Sequence, residues 1–284
     1  MQRVGLLGLG IMGAGMASNW LAKGFELSVW NRTPAKAQAL SAKGAKVAAT
    51  PREAAAGADF VFAMVADDGA SRSVWLGADG ALAGAKPGAI LVESSTLSPD
   101  CVRELGGQAR ARGCGFLDAP VGGSRQAAES GGLRFFVGGK PQTYEAARPA
   151  LQAVGSRIDL LGPVGAGATW KLINNQLAAT QVAALAEAVE VARKAGFRNE
   201  QISELILGGA PASPIVKTKL PRMLAHDFEP PDFAVHLMLK DARYATALAE
   251  ALGAPADMVL GAVKAFARAE AKGLGAKDIA AVAG

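Results

Sequence analysis

Apolar and polar positions alternate in short blocks over the first 161 residues. The apolar run Arg3–Leu7 is followed by a glycine-rich turn, by a helical pattern from Ile11 to Lys23, and by a second apolar run, Glu26–Trp30. The chain therefore opens with a predicted strand–helix–strand unit. The same patterning predicts five more strands, at Phe60–Val65, Ala89–Glu93, Phe116–Asp118, Leu133–Val137 and Ile158–Leu161.

Helix starts between these strands are marked by a small polar residue followed by proline. Thr33-Pro34 and Ser98-Pro99 have this form, and Thr50–Glu53 also has the form of a capping box. Pro141–Ala153 is predicted to be another helix. Strands that alternate with helices in this way are typical of a parallel sheet covered on both faces.

The pattern changes after Leu161. Gly167–Lys194 contains no proline and predicts one helix about 40 Å long at 1.5 Å per residue. Asp232–Ala251 and Pro255–Lys272 are also predicted helices, and no strand signal follows Leu161. We therefore predict an α/β fold with two domains. Residues 1–161 form a Rossmann-type doubly wound sheet, and residues 162–284 form an all-helical domain that begins with a long interdomain helix.

Composition narrows the class of protein. Of 284 residues, 50% are hydrophobic and 19% charged, which is enough apolar material for a folded core. No apolar run of about 18 residues lacks charge or glycine, and the N-terminal run is too short for a signal peptide, so a cytoplasmic protein is predicted. Two cysteines and two histidines are too few for the usual zinc sites, and no metal site is predicted.

The chain is basic, with a net charge of +5 and a pI of about 9.3. Its lysines and arginines are interspersed with acidic residues, so neither nucleic acid nor a membrane is a predicted partner. The densest basic cluster, Lys217–Arg222, is predicted to be a solvated loop or a helix end.

The turn after the first strand has the spacing of a dinucleotide site. It has the pattern G-x-G-x-x-G, follows a strand and opens a helix. The first glycine permits a tight turn, the second lets a pyrophosphate approach the backbone, and the third lets helix and strand pack closely. The predicted phosphate-binding residues are Gly8, Leu9, Gly10, Ile11, Met12 and Gly13.

The end of the second strand indicates which dinucleotide is bound. NAD-binding chains usually carry a carboxylate there for the ribose hydroxyls, but this chain has Asn31-Arg32-Thr33. Arg32 offers a charged donor to a 2′-phosphate, and Asn31 and Thr33 offer neutral hydrogen bonds. We predict that NADP(H) is preferred over NAD(H). The alternative is that Arg32 is a solvent-exposed arginine and Thr33 only a helix cap.

Lys171 and Asn175 are the candidate catalytic pair. Residues four apart share a helix face, so a cation and an amide can converge on one polar ligand. Alone, the pair would more often be a surface lysine with a chance neighbour. The chain lacks the residues for the other common ways of polarising a carbonyl beside a nicotinamide. It has too few cysteines and histidines to bind zinc, and neither tyrosine has a lysine four residues later. The two histidines have no compelling partners for acid/base catalysis. A lysine acid remains.

At this point the chain resembles the β-hydroxyacid dehydrogenases, which include 3-hydroxyisobutyrate dehydrogenase, tartronate semialdehyde reductase and the succinic semialdehyde and glyoxylate reductases. The resemblance spans nearly the whole chain and rests on Gly8–Met16, Glu93–Pro99, Asp118–Ser124, Gly165–Asn175 and Leu239–Asp241.

The resemblance implies roles for individual residues. Lys171 would be the acid/base, and Asn175 would help to hold the substrate. It also implies a homodimer or homotetramer with contacts in the helical half. The residues implied to contact the cofactor are Met64, Val65, Thr96 and Lys240. The alternative for Lys240 is a helix-surface partner of Asp241.

The turn Gly122-Gly123-Ser124 is the predicted substrate-carboxylate site. Successive glycines expose backbone N–H groups to an anion. The family usually has serine at the first position, so Gly122 is a departure. Ser124 can substitute for that hydroxyl, and a serine that serves only the turn is an equally good interpretation.

Together these observations predict an NADP(H)-dependent oxidoreductase that interconverts a small carboxylate-bearing aldehyde or ketone with its β- or γ-hydroxy acid. An imine reductase on the same fold is disfavoured because Lys171 is retained. A phosphogluconate-type decarboxylating enzyme is disfavoured by the short helical half. A non-catalytic NADP-binding or nucleosome-associated module would be expected to have lost Lys171. The substrate, the direction in the cell and the pathway stay open.

Overall fold

The computed structural model describes residues 2–284. The chain divides into two compact units, Met1–Lys171 and Leu172–Gly284. The division falls within one long helix, α9, which runs from Ala166 to Lys194.

The first unit is built on a nine-stranded sheet. Its strands are β1 (Arg3–Leu7), β2 (Glu26–Trp30), β3 (Lys46–Val47), β4 (Phe60–Ala63), β5 (Ile90–Glu93), β6 (Gly115–Asp118), β7 (Val121–Gly122), β8 (Leu133–Gly139) and β9 (Gly155–Gly162). The order β3-β2-β1-β4-β5-β6 is parallel throughout and is that of a dinucleotide-binding Rossmann sheet. β8 pairs antiparallel with β6 and β7 and parallel with β9. The predicted N-terminal Rossmann fold is confirmed.

Helices cover both faces of this sheet. They are α1 (Ile11–Ala22), α2 (Pro34–Ser41), α3 (Pro51–Ala55), α4 (Asp68–Trp75), α5 (Ala81–Gly84), α6 (Pro99–Ala111), α7 (Arg125–Glu129) and α8 (Pro141–Gln152). Neighbouring strand residues point to opposite faces, so Leu6 enters one hydrophobic cluster and Leu7 the other. Both faces are buried, which is why the central strands are continuous apolar runs.

The proline-marked helix starts form as predicted, with one difference in capping. Thr50 Oγ1 accepts from the Glu53 N–H at 3.1 Å. The Glu53 carboxylate, however, accepts from the Ala49 N–H at 2.9 Å, one residue before the cap. The chain entering α3 is therefore held at two successive residues. The predicted strand Phe60–Val65 also ends early, at Ala63, because the next two residues turn into a loop.

The second unit is helical, as predicted. After α9 come α10 (Asn199–Leu207), α11 (Pro214–Ala225), α12 (Val235–Ala251) and α13 (Asp257–Ala269), then a π-type turn over Glu270–Leu274 and a 3₁₀ helix over Ile279–Ala283. α12 starts later than the predicted Asp232, because the Asp232 N–H donates to the Asp278 carboxylate at 2.9 Å instead of entering the helix. Among the described residues, no helix is long and apolar enough to cross a membrane.

The prediction of a solvated loop or helix end at Lys217–Arg222 is wrong for Lys219, although Lys217 is exposed and Arg222 lies in the last turn of α11. These residues lie inside α11, and Lys219 is 5% exposed. Its ammonium group is 2.9 Å from the buried Asp278 carboxylate, and Arg222 Nη1 is 3.1 Å from the same oxygen. Burial raises the pKa of Asp278, but hydrogen bonds from the Ala280 N–H, the Lys219 ammonium group and the Asp232 N–H hold it below its usual value. Lys219 and Arg222 therefore form an ion network with Asp278 that links the C-terminal segment to α11.

Candidate active site

The glycine turn between β1 and α1 has the geometry that close ligand approach requires. Gly8 has φ +101°, and a Cβ there would lie 2.2 Å from the Met64 carbonyl oxygen. A Cβ on Gly13 would lie 2.1 Å from the Gly8 carbonyl oxygen. Gly10, the N-cap of α1, is exposed and would place its Cβ in open space. Two glycines are therefore required by packing, whereas the third leaves room beside the helix N-terminus.

Asn31 ties this turn to the end of β2. Its Oδ1 accepts from the Leu9 N–H at 2.8 Å, and its Nδ2 donates to the Thr33 carbonyl at 2.9 Å. The amide thus links the glycine turn to the segment that carries Arg32, which is exposed. Thr33 is the N-cap of α2, but its side chain forms no capping hydrogen bond. Asn31 is a positioning residue here, a role that the sequence did not suggest.

The loops after β4 and β5 join beside the same turn. The Val65 N–H donates to Ser95 Oγ at 2.8 Å, next to Thr96. Gly8 approaches Met64 and Val65 closely, so the cofactor residues predicted in the first unit lie in adjacent loops. Ile11 and Met12 are half-buried at the start of α1.

A buried carboxylate organises these loops. Glu93 ends β5 and accepts from Ser71 Oγ at 2.5 Å, Trp75 Nε1 at 2.7 Å and the Ser95 N–H at 2.8 Å. Burial raises the pKa of Glu93, and these hydrogen bonds oppose the rise. The Asp68 carboxylate holds the next turn by accepting from the Ser98 N–H at 2.9 Å and from its hydroxyl at 2.6 Å. The sequence marked Glu93–Pro99 only as a family segment.

The turn predicted to hold the substrate follows β7. Gly123 is exposed with φ +133°, a conformation that favours glycine. Ser124 is the N-cap of α7, and its Oγ accepts from the Ala127 N–H at 3.4 Å. This hydroxyl therefore serves the turn. A Cβ on Gly122 would make only ordinary contacts, the nearest with the Phe136 ring at 3.4 Å, so the family's serine would fit there.

Asp118 fixes the start of the helix that carries Lys171. Its two carboxylate oxygens accept from the Gly165 N–H and the Ala168 N–H, each at 2.8 Å. Gly167 lets this first turn approach β8, because a Cβ there would lie 2.2 Å from the Phe136 carbonyl oxygen. Burial raises the pKa of Asp118 to about 6, and the backbone N–H groups oppose the rise. Lys171 follows within the next turn and is half-buried.

In the second unit, one carboxylate holds Asn175. Asn175 is 4% exposed, and its Nδ2 donates to Asp241 Oδ2 at 2.6 Å. Lys240 Nζ lies 2.9 Å from the other oxygen of Asp241 and 5.1 Å from the centre of the Tyr244 ring. Asp241 thus orients the amide of Asn175 and holds Lys240 on the same helix. The alternative partner predicted for Lys240 is present, and a cofactor contact stays a prediction.

The protein is of the class that binds NAD(P) with an α/β unit and has a second, helical unit. Its marks are the glycine turn, the Rossmann strand order and the helix that carries Lys171 and Asn175. A family model for the NAD-binding domain of 6-phosphogluconate dehydrogenase matches residues 3–162. One described as "NAD-binding of NADP-dependent 3-hydroxyisobutyrate dehydrogenase" matches residues 165–284. The chain belongs to the 3-hydroxyisobutyrate dehydrogenase family, a family of NAD(P)-dependent oxidoreductases.

Individual relatives support this membership. Glyoxylate/succinic semialdehyde reductase 2 of Arabidopsis thaliana is 35% identical over 98% of this chain and 78% of its own length. A 3-hydroxyisobutyrate dehydrogenase structure from Mycobacterium tuberculosis is 33% identical, with a TM-score of 0.89 over 100% of this chain and 98% of its own. Human cytokine-like nuclear factor N-PAC is 35% identical over 99% of this chain. The present chain spans only 51% of the length of N-PAC. An imine reductase from Myxococcus stipitatus, at 22% identity and a TM-score of 0.60 over 99% of this chain and 98% of its own, shares the fold.

Proposed function

We propose that this protein is an NADP(H)-dependent oxidoreductase that interconverts a small carboxylate-bearing aldehyde or ketone with its β- or γ-hydroxy acid. The observation that carries the proposal is the pair Lys171 and Asn175, four residues apart on one continuous helix. Asp118 holds the start of that helix, and Asp241 holds the amide of Asn175. Two fixed anchors are what a catalytic pair needs in order to keep its geometry.

The two side chains would divide the chemistry. The bound nicotinamide supplies or takes the hydride. The Lys171 ammonium would stabilise negative charge on the substrate oxygen during reduction and then donate its proton. Asn175, with its amide oriented by Asp241, would hold that oxygen without competing for the proton. Oxidation needs the neutral amine, so it should be faster at alkaline pH.

The end of β2 supports a preference for NADP(H). Arg32 is exposed on the segment that Asn31 fixes to the glycine turn. A guanidinium group there suits a 2′-phosphate, and neither Asn31 nor Thr33 repels one.

The Gly122-Gly123-Ser124 turn supports recognition of a carboxylate through backbone N–H groups. Two relatives agree with a small acid: the Arabidopsis protein is named for glyoxylate and succinic semialdehyde, and the Mycobacterium tuberculosis structure was determined with L-serine, a β-hydroxy acid. Since Ser124 caps α7, the backbone of this turn would do most of the holding.

The test is a spectrophotometric screen of NADPH oxidation with glyoxylate, tartronate semialdehyde, succinic semialdehyde and methylmalonate semialdehyde. At least one should be reduced, and NADH should be a poorer donor. Butyraldehyde is the matched control for succinic semialdehyde, because it lacks only the carboxylate and would leave the turn's donors without a partner. Equal kcat/KM for the two would contradict carboxylate recognition.

Non-catalytic NADP binding is the second candidate, because a relative that is 35% identical over 99% of this chain is named as a nuclear factor and not as an enzyme. Tight NADPH binding with no turnover of any acid in the screen would support it. Reduction of a cyclic imine without reduction of the acids would instead favour an imine reductase.

We also propose that the protein forms a homodimer or homotetramer. Large apolar side chains of the second unit are exposed, including Leu177 and Val191 of α9 and Leu205 of α10. Sedimentation equilibrium over a range of protein concentrations tests this, and a monomer throughout would contradict it.

A further inference from the structure

A cavity of about 760 Å³ lies in the first unit, and none of its lining residues is assigned above to cofactor or substrate. One wall is α6, another is the end of β9 with the segment after it, and a third is the start of α8. Its volume is within the range of small-molecule sites, about 300–1,000 Å³. The lining residues are Arg103, Gly106, Arg110, Gly139, Lys140, Pro141, Leu160, Leu161, Gly162, Pro163 and Val164.

The polar part of this lining is entirely cationic. Arg103 and Arg110 are seven residues apart, two turns of α6, and therefore share one face. Lys140 is the N-cap of α8, a helix of 12 residues whose first turn no side chain caps. The side chains of Arg110 and Lys140 have no ion-pair or hydrogen-bond partner among residues 2–284, and no lining residue carries a carboxylate.

Arg103 is the one lining cation with an acidic partner. Its Nη1 lies 2.7 Å from Asp100 Oδ1, but the Asp100 side chain is 94% exposed. A pair so open to water contributes little and is readily exchanged for another anion.

The remaining wall is apolar. Leu160, Leu161, Pro163 and Val164 line it, and Leu161 is 43% exposed, so its side chain is accessible to a ligand. Cations with an apolar wall suit a ligand that has an anionic end and an organic body.

The cavity is distinct from the dinucleotide-phosphate site. The glycine turn follows β1, whereas the cavity borders β9. In the sheet these strands are separated by five steps, through β4, β5, β6 and β8. At about 4.8 Å per step, β1 and β9 are roughly 24 Å apart.

We propose that this cavity binds a small organic phosphate. A guanidinium group matches phosphate geometry in a bidentate fashion, and an uncapped helix start adds N–H donors. Three cations and a helix dipole together suit a doubly charged group better than a single carboxylate. The apolar wall would hold the organic part.

Phenyl phosphate is a suitable probe because it combines one phosphate with one apolar ring. Isothermal titration into the full chain saturated with NADP⁺ keeps the dinucleotide site filled and needs no turnover. We expect one saturable site, at least about fivefold tighter than inorganic phosphate because of the wall, and tighter than benzoate because of the charge.

Variants locate the site. Arg110→Ala and Lys140→Ala should each raise Kd at least about threefold, and the double variant more than about tenfold. Arg112→Ala is the matched control, because Arg112 is an exposed arginine at the C-cap of the same helix but does not line the cavity. It should change Kd by less than about twofold.

Absence of binding at phenyl phosphate concentrations up to about 10 mM, ten times the Kd of a weak site of about 1 mM, would overturn the proposal. So would equal effects of Arg112→Ala and Arg110→Ala, which would indicate non-specific charge attraction. Benzoate binding as tightly as phenyl phosphate would overturn the assignment to phosphate.

Discussion

The three glycines of the β1–α1 turn should respond differently to alanine, because the structure gives them different surroundings. At Gly10 a Cβ would meet nothing within 4 Å, and φ is an unstrained −72°. Alanine is a poorer N-cap than glycine but leaves less chain entropy in the unfolded state, two effects of roughly 0.5–1 kcal/mol that oppose each other. We expect Gly10→Ala to change Tm by less than about 3 °C.

Gly10→Ala should nevertheless weaken NADPH binding. The open space at Gly10 is where the proposed pyrophosphate approaches the N–H groups of α1, and a methyl group would occupy it. Losing one or two charge-assisted hydrogen bonds, each worth roughly 1.5–3 kcal/mol, would raise Kd at least about tenfold.

Gly13→Ala is the contrasting variant. Its Cβ would be 2.1 Å from the Gly8 carbonyl oxygen, more than 1 Å closer than a relaxed contact of about 3.5 Å, so α1 must move away from the turn. Overpacking of this kind costs about 1–3 kcal/mol, and we expect Tm to fall by roughly 3–10 °C in addition to the loss of affinity. Thermal melts without cofactor and fluorescence titrations with NADPH separate the two effects. Wild-type NADPH affinity in Gly10→Ala would refute the reasoning.

Three further predictions concern the cofactor, the start of α9 and the substrate turn. Arg32→Ala should raise KM for NADPH about ten- to a hundredfold and leave KM for NADH nearly unchanged, since only NADPH carries the 2′-phosphate; equal effects would show that Arg32 is structural. The pKa of Asp118 is raised to about 6 from an ordinary 3.8, so between these pH values the folded state holds a proton that the unfolded chain releases. The contribution of Asp118 to the free energy of unfolding is therefore fully present below about pH 4, and it falls by about 3 kcal/mol as the pH rises through 6. Urea unfolding between about pH 5 and pH 8 should show wild type losing stability relative to Asp118→Asn, and a relative gain would mean that the α9 N-terminus favours the ionised carboxylate. Gly122→Ser should fold normally, because its Cβ has space, and should lower KM for carboxylate substrates in steady-state assays; an unchanged KM would indicate that the backbone alone holds the carboxylate.

Local features were predictable from the sequence, because neighbouring residues determine them. The strand–turn–helix at Gly8–Gly13 follows from periodicity and glycine spacing, and β1 and β2 lie at the predicted residues. Helix starts at Pro34 and Pro99 follow from the fixed φ of proline, and at Pro99 also from the Ser98 cap.

Anchors between distant residues were not predictable from spacing. Asp118 meets Gly165 across 47 residues, and Asn175 meets Asp241 across 66. Lys219 lies 59 residues from Asp278, and without that partner a lysine in a basic cluster was best interpreted as solvated. These contacts depend on how helices and strands pack, so a single sequence marks the residues at most as parts of a family segment.

The central claim is that Lys171 is the proton donor, and Lys171→Ala tests it most directly. With the best substrate from the screen, kcat should fall about 10²–10⁴-fold, while the Kd for NADPH stays within about twofold because no phosphate contact is removed. Lys194→Ala is the matched control, since Lys194 ends the same helix and pairs at the surface with Glu190. A folded Lys171→Ala variant that binds NADPH tightly and keeps the wild-type kcat would contradict the account.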